Sequence, residues 1–152
     1  MFIVYVDADA CPVKEEVYRV AGRYAMRVVV VANASMRVPT GPLVESVVRT
    51  GFGAADDYIA EQIGPGDIAI TADIPLAARC LAAGGRVLDH RGRAITDNEI
   101  GPMLGMRDLM GTLRQSGEVT GGPPPMTAKD RSRFLSKLDE VVNAVRRAYP
   151  AG

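Results

Sequence analysis

Cysteine and histidine are nearly missing from this sequence, and their scarcity removes several kinds of chemistry at once. Two cysteines, Cys11 and Cys80, are too few for a disulfide framework or a thiolate zinc site. A single histidine, His90, excludes a histidine-rich metal site and argues against a Ser-His-Asp triad. No apolar run approaches the roughly 20 residues that a membrane-spanning helix needs. The opening stretch Met1–Val6 is too short for a signal peptide and has neither a basic leader nor a cleavage site. A cytoplasmic protein without a membrane partner is therefore expected. Net charge is zero, so no global excess of positive charge points to nucleic acid.

What is present is ordinary in bulk and uneven in detail. The chain has 152 residues, the length of one domain with a real core, and 47% of them are hydrophobic. Residues 1–83 hold 7 Lys/Arg against 10 Asp/Glu, and residues 84–152 hold 11 against 8. An acidic half joined to a basic half suits a metal site that faces a polyanion, although an imbalance this small also arises by chance.

The apolar pattern alternates between two periods. Phe2–Val6 and Arg27–Val31 read as strands buried on both faces, and Leu43–Val48, Asp67–Thr71 and Arg86–Leu88 read as further strands. Between them, helical spacing begins at Pro12, with Val13, Val17, Val20, Ala21 and Tyr24 on one face, and recurs over Ala54–Ile63 and Pro75–Ala83. Gly64-Pro65-Gly66 and Gly84-Gly85 supply the stops. Strands alternating with helices predict an α/β fold, a mostly parallel sheet with helices on both faces, over residues 1–90. Residues 91–152 read as a helical extension of the same domain. It comprises a helix over 98–115, a Gly/Pro-rich loop over 117–125, and a last helix capped by Thr127 that turns Phe134, Leu135, Leu138, Val141, Val142 and Val145 inward.

In a parallel sheet, ligands bind beyond the carboxyl ends of the strands. Asp7 and Asp9 follow the first strand there, and Asp73 follows the fourth. Asp56 and Asp57, near the start of the middle helix, can approach the same edge. Carboxylates that converge repel each other unless a cation lies between them, and a hard ion such as Mg²⁺ or Mn²⁺ meets that need. Metal-assisted phosphodiester hydrolysis is the natural reaction of such a site. Each acid also has a plainer reading: Asp9 as turn chemistry, Asp73 as a helix cap, Asp56 and Asp57 as first-turn acids answering the helix dipole. Cys11 sits where a thiolate would be favoured, yet a small packing residue is the simpler reading, as core is for Cys80 and a loop position for His90. Asn33 at the end of the second strand, with Arg37, Arg91, Arg93, Arg107 and Arg114, are candidates to meet substrate phosphates.

These residues resemble the YaiI/YqxD family of uncharacterised bacterial proteins almost end to end. The resemblance rests on Asp7-Ala8-Asp9-Ala10-Cys11-Pro12, Val31-Ala32-Asn33 with Arg37-Val38-Pro39, Ala55-Asp56 with Ile59, and Gly66-Asp67 leading into Thr71-Ala72-Asp73-Ile74-Pro75-Leu76-Ala77. Arg91-Gly92, Met106-Arg107-Asp108, Leu113-Arg114 with Gly117, and Gly121-Gly122-Pro123 complete it. The resemblance implies a PIN-like fold and, by analogy, a Mg²⁺- or Mn²⁺-dependent ribonuclease-type site. In it Asp7, Asp56 and Asp73 would bind metal, with Asp9 as a further catalytic acid and RNA or another nucleic acid as partner. Relatives often carry Asp in a Gly-x-Asp three residues before the acid at 56; this chain has Gly53 there, which removes one carboxylate. Two other readings stay open. One is a HAD-type phosphohydrolase, whose nucleophile and general acid Asp7-Ala8-Asp9 mimics. The other is a PIN-like module that binds nucleic acid or a protein partner without turnover.

Overall fold

Four consecutive valines at 28–31 have no polar alternation, so the strand that holds them must be covered on both faces. The computed structural model, which describes residues 2–102 and 126–149, places them on an interior strand of a six-stranded sheet. The strands are β1 (Ile3–Asp7), β2 (Arg27–Ala32), β3 (Val44–Val48), β4 (Ile68–Ile70), β5 (Arg86–Leu88) and β6 (Ala94–Ile95), in the order β3-β2-β1-β4-β5-β6. All neighbours are parallel except β5 and β6. The helices that lie wholly within the described residues are α1 (Lys14–Arg23), α2 (Ala54–Gln62), α3 (Ile74–Ala82) and α4 (Ala128–Ala148).

Side chains alternate across each strand, so the sheet feeds two separate cores. Val4, Val6, Val28, Val30, Ile68, Ile70 and Leu88 meet α1 and α4 on one face, where Phe134, Leu138, Val142 and Val145 are fully buried. Tyr5, Val29, Val31, Ala69 and Val87 meet α2 and α3 on the other, with Ile59, Leu76 and Cys80. Cys80 is core, as its spacing suggested. Leu135 and Val141 of α4, assigned inward from their periodicity, are half-buried and flank the first core. Polar contacts also tie α4 to the residues that flank α1. The Arg131 guanidinium donates to the Pro12 carbonyl at 2.7 Å, and the Tyr24 hydroxyl donates to Asp139 at 2.8 Å.

Two features depart from the sequence reading. The helix expected at Pro12 begins at Lys14, because a 3₁₀ turn over Ala8–Ala10 uses the residues after β1 and leaves Pro12 in the connection. The sheet gains β6, a two-residue strand with too little pattern to register in the sequence, and it runs antiparallel through the turn at Asp89–Arg93. Residues 97–102 are helical, as expected for the start of the 98–115 segment. The rest of that segment, the 117–125 loop, Arg107 and Arg114 lie outside the described residues.

Thr127 caps α4 as its position suggested. Its hydroxyl accepts from the Asp130 amide at 3.1 Å, and the Asp130 carboxylate accepts from the Thr127 amide at 3.0 Å. Phe134→Ala should cost about 3–5 kcal/mol and Thr127→Ala only about 1 kcal/mol in urea unfolding. Similar losses for the two would show that α4 is not held by its buried face.

Candidate functional site

The strand order reverses between β1 and β4: from β1 the chain works outward through β2 and β3, and from β4 outward through β5 and β6. Such a switch point opens a crevice beyond the carboxyl ends of the two strands. A cleft of about 180 Å³ lies here, lined by Asp7, Asp9, Asn33, Gly53, Ala55, Asp56 and Asp73. Four carboxylates thus reach one cleft from four segments: the end of β1, the 3₁₀ turn, the first turn of α2 and the N-cap of α3.

Each is positioned by a hydrogen bond, except Asp56, which is carried there by the helix itself. Asp7 accepts a hydrogen bond from the Thr71 hydroxyl at 2.8 Å through Oδ2. The Thr71 Oγ1 in turn accepts from the Asp73 amide at 3.0 Å. Asp73 Oδ1 accepts from the Leu76 amide at 2.9 Å, so the capping reading holds while the same side chain lines the cleft. Asp9 Oδ2 accepts from the Asn33 amide at 2.9 Å, tying the 3₁₀ turn to the end of β2 rather than capping α1. Among the described residues, the second oxygen of Asp7, Asp9 and Asp73 carries no protein hydrogen bond.

The electrostatics follow from this crowding. Burial, and then the charges of Asp73 and Asp9, push the Asp7 carboxyl above its usual range, against the Thr71 hydrogen bond and Lys14. Burial, with Asp7 and Asp73 behind it, pushes Asp56 up to about 6. The N-termini of α2 and α3 face this edge, and their dipoles favour the negative charge. Even so, among the described residues no three Asp, Glu, His or Cys side chains gather tightly enough to enclose an ion. The four acids share a cleft and not a closed cage.

Other candidates fall elsewhere. Asp57 leaves the cleft to pair with Arg79 at 2.8 Å. Arg37 is exposed on the β2–β3 connection, Arg91 and Arg93 lie in the β5–β6 turn, and none of the three lines the cleft. Asp67, one half of the Gly66-Asp67 pair, sits at the opposite edge, where its carboxylate accepts from the Ile3 and Gly64 amides at 3.0 Å. Burial raises the Cys11 thiol, which disfavours a reactive thiolate. His90 is half-buried in the same turn as Arg91. The residue that sequence reasoning passed over is Thr71, the one polar side chain buried among the described residues. Its signal was a hydroxyl ending an apolar strand two positions before an acid.

Residues 5–144 match the family described as "Uncharacterized BCR, YaiI/YqxD family". A UPF0178 protein of Paramagnetospirillum magneticum is 55% identical over 148 residues, covering 97% of this chain and 98% of its own. UPF0178 proteins of Rhodopseudomonas palustris strain HaA2 and of Bradyrhizobium sp. strain ORS 278 are 52% and 54% identical over 149 residues each, covering 97% of this chain and 91% of theirs. No solved structure matches.

Two outcomes follow from the crowding. A carboxyl raised above its unfolded value binds its proton more tightly in the folded state, so stability falls as pH rises from about 4 to about 6 and stays reduced above. Asp56→Asn should therefore raise Tm by roughly 2–4 °C at pH 7.5, worth about 1 kcal/mol at this half-exposed position, with the gain vanishing below pH 4. An unchanged Tm at pH 7.5 would show that the carboxylates do not strain one another. Thr71→Val should push the Asp7 carboxyl higher still in a ¹³C NMR titration, since the bond it loses favours the ionised form.

Proposed function

The chain belongs to the YaiI/YqxD family, and we propose that its acidic cleft is the centre of a divalent-metal-dependent phosphodiesterase of the PIN-like kind, acting on RNA. The observation that carries this reading is the convergence of Asp7, Asp9, Asp56 and Asp73 on one cleft at the sheet's switch point, with Asp56 raised to about 6. A protein that gathers such charge gains most when a cation joins it.

The residues fit a hard ion. The donors are carboxylate oxygens, the class that Mg²⁺ and Mn²⁺ prefer, and the oxygens of Asp7 and Asp73 that carry no bond among the described residues stand at the end of β1 and at the N-cap of α3, just beyond β4. Among the described residues no three such side chains could hold an ion by themselves, so a bound Mg²⁺ would have to keep much of its water and be held through one or two carboxylates. When bound, the ion would polarise a phosphoryl oxygen and lower the pKa of water.

The chain's own residues would do the rest. Thr71 fixes the rotamer of Asp7 and spaces it from Asp73. Asn33, exposed at the end of β2 and fastened through its amide to Asp9, has its side-chain amide available to orient a phosphate oxygen. Asp56, titrating near 6, is suited to hold or release a proton at neutral pH. A non-catalytic binding module remains the second reading, favoured by Gly53, which lines the cleft without a side chain.

The test compares wild type with Asp7→Ala and Asp73→Ala on single-stranded RNA in Mn²⁺. Cleavage should fall by about 100-fold or more in each variant and stop in EDTA. Equal cleavage by all three would trace the activity to a contaminant. Binding that survives EDTA and Asp7→Ala, with no cleavage, would favour the non-catalytic module. Mn²⁺ affinity by calorimetry should weaken below pH 6 as Asp56 takes up its proton. Gly53→Asp should tighten it: a Cβ at 53 meets nothing within 4 Å, and Asp is among the residues that accept its φ of +71°.

A further inference from the structure

The cleft accounts for the residues that line it, but not for the ring beside it. Phe52 is wholly exposed, at 108% of its reference area, so the fold makes no use of a side chain that normally drives folding. Its place is specific. β3 ends at Val48, α2 starts at Ala54, and Phe52 stands between Gly51 (φ +109°) and Gly53 (φ +71°). The turn is closed by the Ala54 amide, which donates to the Gly51 carbonyl at 3.3 Å. Gly53 itself lines the cleft, so the Phe52 backbone lies one peptide unit from the acidic site.

Two neighbours add to this. The Arg49 guanidinium lies over the Tyr58 ring, 4.7 Å from its centroid, which puts a cation on the same connection. Other large hydrophobics exposed among the described residues are Val48 at 38% and Tyr149 at 39%, both mostly covered. Among the described residues Phe52 is thus an isolated flat ring and not part of an apolar patch. A protein partner needs a contiguous surface, whereas an unpaired nucleobase needs only one free π-face with phosphate-compatible charge nearby.

We infer that Phe52 is a stacking platform for one unpaired base of a single-stranded nucleic acid whose backbone enters the acidic cleft. The inference rests on the phosphodiester reading of that cleft for where the backbone lies. It adds the substrate class: a strand whose bases are free to leave their neighbours, since a base inside a duplex offers no face to the ring.

The test uses binding of fluorescein-labelled 12-mers with phosphorothioate linkages, which slow cleavage, in Mn²⁺. One oligonucleotide is single-stranded RNA, one carries abasic units throughout, and one is duplex. Phe52→Ala should weaken the single strand by about tenfold or more and leave the abasic strand unchanged, while Phe52→Tyr should bind as wild type does. The chain contains no tryptophan, so Phe52→Trp places a lone reporter at the site. Its emission should be quenched by the single strand and not by the abasic strand. Base-dependent loss on Phe52→Ala supports the inference even if the protein cleaves nothing, in which case only the hydrolytic reading fails. Equal weakening of single-stranded and abasic strands, or no binding by wild type, overturns it and leaves the ring to a protein partner, even if cleavage in Mn²⁺ proceeds.

Discussion

The backbone ladder of β1 holds the two halves of this molecule together. β1 hydrogen-bonds to β2 on one side, with Asp7 opposite Val31, and to β4 on the other, with Val6 opposite Ile70. Because both neighbours are parallel and the chain leaves β1 and β4 in opposite directions across the sheet, their carboxyl ends cannot be bridged by a short loop. The crevice that results is a consequence of topology, before any side chain is considered. Val4 and Val6 face one core and Tyr5 the other, so β1 cannot slip by one residue without turning Tyr5 into the α1–α4 layer and both valines into the α2–α3 layer. The register that places Asp7 at the rim is fixed by that packing.

What the topology opens, the electrostatics make expensive. Asp7 is raised by burial and by Asp73 and Asp9, and Asp56 by burial, Asp7 and Asp73. The fold meets this strain with fixed dipoles: the Thr71 hydroxyl, the Asn33 and Leu76 amides, and the N-termini of α2 and α3. Those donors orient the acids and relieve them in part. Structural acids elsewhere are treated differently. Asp67 accepts two amides at the far edge, and Asp130 and Asp139 sit in a capping box and a Tyr24–Asn143 network. This contrast between satisfied and half-satisfied carboxylates supports the proposal of a bound cation.

Much of this was legible in the residues. The valine run, the glycine stops and the Thr127 cap are local signals, and they located the first five strands and the helices of the α/β part to within a few residues. Asp7, Asp9, Asn33, Asp56 and Asp73 could be gathered because each follows or precedes an element whose direction the parallel pattern fixes. What was hidden depends on contacts far apart in the chain. β6 is two residues long and exists only by pairing with β5. The 3₁₀ turn is held by the Asn33 amide, which donates to Asp9 from 24 positions away, and Thr71 acquires its role from Asp7, 64 positions away. The arginines were the weakest inference, since a charge on a loop has no pattern that says which edge it faces. Phe52 passed unnoticed because one aromatic between two glycines has no periodicity at all.

The central claim, a cation held across the β1–β4 switch point, is tested most directly by a crystal of the protein soaked in Mn²⁺ and measured at a wavelength that reveals manganese. The account predicts an anomalous peak in the cleft, in contact with Asp7 and Asp73 and completed by water, that disappears in Asp7→Asn crystals. A cleft without a peak at millimolar Mn²⁺, or a peak that persists without the Asp7 carboxylate, would contradict it.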